Sequence, residues 1–272
     1  MCRAKRPYHA TGGTPSRFPF NICRWRHFRL PGQQRHALLD KLMPTDASSE
    51  NNKIIVYDLD GTLVDSARDL IATLNKVIEK QGLDPIDYRH VGSIVGQGAL
   101  RMLDRAYEFY GKSLAEDLKL EMHKEFLEIY SEHLADKTVP YEGVIDVLDK
   151  MKSDGWIQAV CTNKYEGMSV KLLKQLQLDH YFSAICGSDT FPVRKPDPAH
   201  LIGTIDRANG NRNRCVMIGD SITDVKTAKA AEIPVIAVTF GYSDVPVSKL
   251  GPTAIVNNFN AIPEVIESIF ED

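Results

Sequence analysis

From Lys53 onward, short β-branched apolar runs alternate with helical stripes, and this alternation restricts the chain to one class of fold. Ile54-Ile55-Val56-Tyr57 is apolar throughout, as expected of a strand covered on both faces. Similar runs stand at Ile157–Cys161, Ala184–Cys186, Cys215–Ile218, Val235–Val238 and Ala254–Val256. Between them, Val144, Ile145, Val147, Leu148 and Met151 share a helical stripe that ends at Gly155. Met168, Leu172, Leu173 and Leu176 form a second stripe, and Val225, Ala228 and Ala231 a third. Strands alternating with helices build βαβ units, so the expected fold is α/β: a Rossmann-like, doubly wound parallel sheet.

One block breaks the alternation. Residues 66–137 hold three helical patterns and no convincing strand: Leu70-Ile71-Leu74-Val77-Ile78, then Leu100–Tyr110, then Leu118–Leu134. The expected organisation is therefore an α/β core, 43–66 and 138–272, interrupted by an inserted all-helical domain at 67–137.

Charge separates the first 42 residues from the rest. They hold nine of the 33 Lys and Arg but one of the 36 acids, leaving 43–272 with 24 basic and 35 acidic residues, a net of −11. Such an acidic body repels nucleic-acid phosphates, so nucleic acid is not expected as a partner. The 1–42 stretch, rich in Pro, Gly and Arg, has no useful periodicity and is expected to be a disordered basic leader. Three accounts of it stay open: a transit peptide without the usual Ser enrichment, a basic binding arm, or translation upstream of a native start at Met43. No apolar run approaches the roughly 18 to 20 residues that span a bilayer, so no membrane association is expected. The five cysteines show no CxxC spacing, and Cys161, Cys186 and Cys215 sit in or beside strand-like runs as core residues. A reducing, cytoplasmic setting follows as the expectation.

In open parallel sheets, ligands bind beyond the carboxyl ends of the strands. The first strand is followed by Asp58-Leu59-Asp60-Gly61-Thr62-Leu63, and the Ile157–Cys161 run by Thr162-Asn163-Lys164. A later loop reads Arg194-Lys195-Pro196-Asp197-Pro198, and Cys215–Ile218 leads into Gly219-Asp220-Ser221, with Asp224 after it. Singly, each string has an ordinary explanation as a turn, a surface loop or a helix cap. Together they bring carboxylates, a hydroxyl and a cation to one edge of one sheet.

This set of strings resembles the haloacid dehalogenase-like hydrolase superfamily, and its phosphatase branch in particular. Asp58-x-Asp60-x-Thr62 is similar to the first motif, Thr162 to the second, Lys195 to the third, and Gly219-Asp220-Ser221 with Asp224 to the fourth. The resemblance spans about residues 53–260, and the helical insert stands where this superfamily carries a small cap.

The resemblance implies a division of labour that elementary chemistry supports. Asp58 would be the nucleophile, forming an acyl phosphate. Asp60 would protonate the leaving oxygen and then take a proton from the hydrolytic water. Gathering Asp58, Asp60, Asp220 and Asp224 round a phosphate requires cations, because each like-charge pair costs about 4 kcal/mol at about 4 Å and an effective dielectric near 20. Mg2+ is the implied cofactor, held by Asp58, Asp60 through its backbone carbonyl, and Asp220, with Asp224 in support. Lys195 would neutralise the nucleophile and the transferring group, and Thr162 with Asn163 would hold phosphate oxygens.

Within the superfamily, Val95-Gly96-Gln97-Gly98-Ala99, Thr162-Asn163-Lys164 and Val238-Thr239-Phe240-Gly241-Tyr242 are similar to phosphatases of phosphoglycolate. The implied partner is a small phosphorylated metabolite, 2-phosphoglycolate first, with Gln97, Arg101 and Lys164 as candidates for specificity. Gly96-Gln97-Gly98 lacks the ending of a phosphate-binding P-loop and is either an interhelical turn or a loop closing on substrate. Alternative readings are a phosphatase of pyrophosphate or sugar phosphates, a sugar phosphomutase of the same superfamily, and, more distantly, a phospho-accepting receiver module.

Overall fold

Strand β1 (Ile54–Tyr57) is fully buried and lies at the middle of a six-stranded sheet. The computed structural model describes residues 51–271 apart from Gln97, so the expected leader at 1–42 and Gln97 lie outside the described residues. The other sheet strands are β4 (Ile157–Cys161), β5 (Ala184–Cys186), β6 (Cys215–Gly219), β7 (Val235–Val238) and β8 (Ala254–Val256). The order β5-β4-β1-β6-β7-β8 is parallel at every neighbour pair, as the alternation predicts.

The sheet is covered on both sides, which explains why its strands lack polar alternation. Ile55 and Tyr57 enter one core and Ile54 and Val56 the other, following the period of 2 along a strand. Helices α5 (Val144–Ser153), α6 (Glu166–Gln175) and α9 (Ile262–Phe270) pack on the first face through Leu148, Leu172 and Ile266. Helices α7 (Pro198–Arg207) and α8 (Ile222–Ala230) cover the second through Leu201, Ile205 and Val225. Each side chain buried in this way contributes about 1.5–3 kcal/mol. Gly155 ends the α5 turn at φ +76°, a conformation that glycine adopts without strain.

The insert consists of α1 (Ala67–Glu79), α2 (Val91–Ile94), α3 (Ala99–Phe109) and α4 (Glu116–Glu132). Three of these match the helical patterns, whereas α2 is a single turn too short to show a period. The two passages between core and insert pair as a ribbon, β2 (Val64–Asp65) against β3 (Val139–Pro140), antiparallel. Two residues per strand leave no alternation to detect in a sequence. Asp69 fastens the crossing, its Oδ2 accepting from Lys137 N, Thr138 N and Thr138 Oγ1 at 2.7–2.9 Å. Among the described residues, no helix is long and apolar enough to cross a membrane.

Candidate active site

Register brings the chemistry together. Tyr57 of β1 stands level with Val160 of β4 on one side and Ile218 of β6 on the other, so all three strands stop at the same height. Asp58, Thr162 and Asp220 leave the sheet there, and all three line one cavity with Asp60, Asn163, Lys164 and Lys195. Ligand atoms of Asp58, Asp220 and Asp224 lie within 4.8 Å of one another.

Each acid has a defined set of partners. Asp58 Oδ1 accepts from Leu59 N at 2.7 Å and stands 2.9 Å from Lys195 Nζ. Asp220 accepts from Thr62 Oγ1 at 3.1 Å and from Tyr242 N at 2.7 Å. Asp224 heads α8 in a capping box: its Oδ2 accepts from Ser221 N and Oγ, and its Oδ1 lies 2.6 Å from Lys195 Nζ. The backbone is shaped to admit this crowding. A Cβ on Gly61 (φ +89°) would lie 2.5 Å from Asp220 Oδ2, and one on Gly241 would lie 2.3 Å from Asp220 Cβ.

Electrostatics follow from the packing. Burial, then Asp224, push the Asp58 carboxyl up to about 7, against the pull of Lys195 and the Leu59 N–H. Burial, then Asp224 and Asp58, raise Asp220 well above the ordinary carboxylate range. Burial works against the Lys195 ammonium, but Asp224 and Asp58 outweigh it and hold the group charged. Three carboxyls facing one ammonium would carry excess negative charge if all were ionised, which is why Asp58 and Asp220 hold their protons more tightly than free carboxyls do. Their oxygens form a hard donor set of the kind magnesium prefers.

Asp60 and Lys164 form a second pairing beside the first. Lys164 Nζ lies 2.9 Å from each Asp60 oxygen and donates to Tyr130 Oη at 2.8 Å, with the ammonium 4.6 Å from the Tyr130 ring centre. Ser66 Oγ also donates to Asp60 Oδ1, at 2.5 Å. Burial opposes the Lys164 charge, yet Asp60 and Tyr130 raise its pKa above the ordinary lysine value. Burial pushes the Tyr130 phenol up to about 12.

A match to the haloacid dehalogenase-like hydrolase family covers residues 55–238, which includes every motif-bearing strand end just described. The chain belongs to this family. Among relatives of the hydrolase, the phosphoglycolate phosphatase of Agrobacterium fabrum is 42% identical over 217 residues, 79% of this chain and 93% of that one. The phosphoglycolate phosphatase of Mesorhizobium japonicum is 44% identical over 209 residues, 77% and 92% of the two chains. A crystal structure described as a predicted phosphoglycolate phosphatase from Haemophilus somnus superposes with a TM-score of 0.73 at 30% identity, covering 79% of this chain and 97% of that one.

The hydrolase places the candidates unevenly. Asp58, Asp60, Thr162, Lys195 and Asp220 converge on the cavity. Asn163 reaches it too, but its Nδ2 donates to the Lys195 carbonyl at 3.1 Å, which steadies the loop carrying the lysine. Arg101 faces a neighbouring groove rather than the cavity and pairs with Glu108 at 2.8 Å.

Sequence reasoning missed four supports. His200 of the hydrolase is fully buried on α7, and its Nδ1 accepts from Lys195 N at 3.1 Å. Burial and the Lys195 charge lower its pKa to about 4, so it is neutral. Tyr242 donates through Oη to Asp65 Oδ1 at 2.6 Å and accepts from Ala67 N at 3.1 Å, joining the ribbon to the loop that holds Asp220. Arg105 on α3 donates to the Val95 carbonyl at 3.2 Å and to Asp244 Oδ2 at 2.8 Å, tying the insert to the loop after β7. Tyr130 is the fourth. Only Tyr242 lay in a string already singled out; the rest look like ordinary stripe or surface residues, and no local pattern marks them.

Proposed function

We propose that this hydrolase is a magnesium-dependent cytoplasmic phosphatase that converts 2-phosphoglycolate to glycolate and phosphate through an aspartyl-phosphate intermediate. The observation that carries the reading is the convergence of Asp58, Asp60, Thr162, Lys195 and Asp220 on one cavity. The phosphoglycolate phosphatases named among its relatives support the substrate. The free thiols of Cys161, Cys186 and Cys215 suit a reducing compartment.

An Asp58 oxygen attacks phosphorus, and the bond from phosphorus to the glycolate oxygen breaks. Asp60, which accepts from Lys164 and Ser66 in the free protein and must enter this step protonated, gives that oxygen its proton, so glycolate leaves as the alcohol. Water then attacks the phosphorus of the acyl phosphate, Asp60 takes a proton from it, and phosphate leaves with the Asp58 carboxylate restored. Lys195 is held against Asp58 throughout and offsets charge on the phosphoryl oxygens, with Thr162 placed to donate to one of them. Asp58, Asp220 and the Asp60 carbonyl would hold magnesium; Asp224 stands behind them, both its oxygens being engaged by Lys195 and Ser221. Bound there, the ion supplies neutralising charge and Lewis acidity at a phosphoryl oxygen.

Phosphate release across small phosphoesters, with and without magnesium, tests the reading. Turnover of 2-phosphoglycolate should require magnesium and fall on the order of 10³-fold or more in Asp58→Asn. Full activity of that variant would end the covalent route, and isomerisation of a sugar phosphate without phosphate release would favour a mutase.

A further inference from the structure

We propose that Lys164 and Tyr130 together form the subsite for the carboxylate of the leaving group, with the helical insert supplying one of the two contacts. The inference rests on the assignment of 2-phosphoglycolate made above and names the groups that recognise it.

The location follows from the order of atoms in the substrate. Phosphorus is addressed by Asp58 and the bridging oxygen by Asp60. In 2-phosphoglycolate a single methylene separates the bridging oxygen from the carboxylate, so the recognising group must stand immediately beside Asp60. Lys164 Nζ does so, 2.9 Å from both Asp60 oxygens.

Alternatives are few. Among the described residues lining the cavity, Lys164 and Lys195 carry the only positive charges, and Lys195 is held between Asp58 and Asp224. Arg101 is in the neighbouring groove. The insert presents Val95, Met102, Phe126 and Leu127 to the cavity, a wall on which a carboxylate would lose water without gaining a partner. Tyr130 is the polar side chain on that wall.

The hydrogen-bond inventory of Tyr130 points the same way. Its oxygen accepts from Lys164, while its own proton reaches no acceptor among the described residues. A buried phenol with an unused donor beside an ammonium is suited to an anion. An arriving carboxylate takes the phenol proton in a hydrogen bond and draws one Lys164 N–H away from Asp60, while another N–H stays on Asp60. The leaving group is thereby fastened next to the group that protonates it. Because Lys164 follows β4 and Tyr130 belongs to α4, the same carboxylate bridges core and insert. A neutral leaving group offers no acceptor and makes neither contact.

The test compares 2-phosphoglycolate with ethyl phosphate, which replaces the carboxylate by a methyl group. kcat and KM for phosphate release are measured for the full chain, Tyr130→Phe and Lys164→Met. Tyr130→Phe keeps the buried ring and removes only the hydroxyl. It should cut the preference for 2-phosphoglycolate, taken as the ratio of kcat/KM values, by about tenfold, chiefly through KM. Lys164→Met should cut it by about a hundredfold. Glycolate, assayed as an inhibitor, should bind Tyr130→Phe correspondingly less well. A wild type without preference for 2-phosphoglycolate sinks the substrate assignment and the subsite together. A wild type with that preference, retained to within about twofold by Tyr130→Phe, overturns the subsite alone.

Discussion

Lys195 Nζ lies 2.6 Å from Asp224 Oδ1, closer than its 2.9 Å to Asp58 Oδ1. The opposite oxygen of Asp224 is taken by Ser221 N and Oγ, so Asp224 aims the lysine at Asp58, the proposed nucleophile, from behind. Asp224→Asn keeps the volume but weakens that aim. It should lower kcat for phosphate release by about tenfold to a hundredfold while KM changes less. Steady-state kinetics checks this, and an unchanged kcat would contradict it.

The raised carboxyls mean that a metal ion bound by them, as proposed, would stabilise the fold. Because Asp58 is protonated up to about 7, the metal-free protein retains the stabilising effect of that proton in acid and loses it as pH rises through about 7. Magnesium should therefore raise the thermal midpoint more at pH 8 than at pH 5, where protons compete for the same oxygens. In Asp220→Asn the magnesium response should disappear, and the metal-free midpoint should equal or exceed that of the wild type. Differential scanning fluorimetry across pH decides the matter.

His200 gives a second pH signature of opposite sign. Its folded pKa of about 4 lies below the ordinary 6.5, so neutral His200 stabilises the fold fully above about pH 6.5. That contribution is lost as pH falls towards 4, and at about 1.4 kcal/mol per pKa unit it amounts to about 3 kcal/mol. Urea denaturation of His200→Asn and His200→Gln should show a flatter profile between pH 4 and 6.5. Asn places an acceptor near the position of Nδ1 and should keep more kcat than Gln, which places one near Nε2. Equal kcat values would deny His200 a part in positioning Lys195.

Arg105 and Asp244 join parts of the chain that no catalytic motif links. Arg105→Met should raise KM several-fold, because Val95, which lines the cavity, loses its tie through Arg105 to Asp244. A double-mutant cycle with Asp244→Asn should give a coupling of about 1 kcal/mol in stability. Additive effects would show that the two side chains act independently.

The strands were legible because burial on both faces leaves an unbroken apolar run, as in Ile54-Ile55-Val56-Tyr57. The placement of the candidate strings was legible because each follows such a run directly, so chain order alone sends Asp58, Thr162 and Asp220 to one edge. Short elements were not: α2 and the β2–β3 ribbon contain too few residues to show a period.

What the amino-acid order determined by itself is the class of fold and which chemical groups stand at the strand ends, since both depend on local periodicity and on what comes next in the chain. Tertiary structure alone decided which charges meet. Lys164 faces Asp60 across 104 positions, Tyr130 arrives from helix α4 of the insert, and His200 supports Lys195 from inside the core. These contacts depend on how elements pack rather than on spacing along the chain, and a hydrogen bond closed by packing leaves no periodic trace in the sequence.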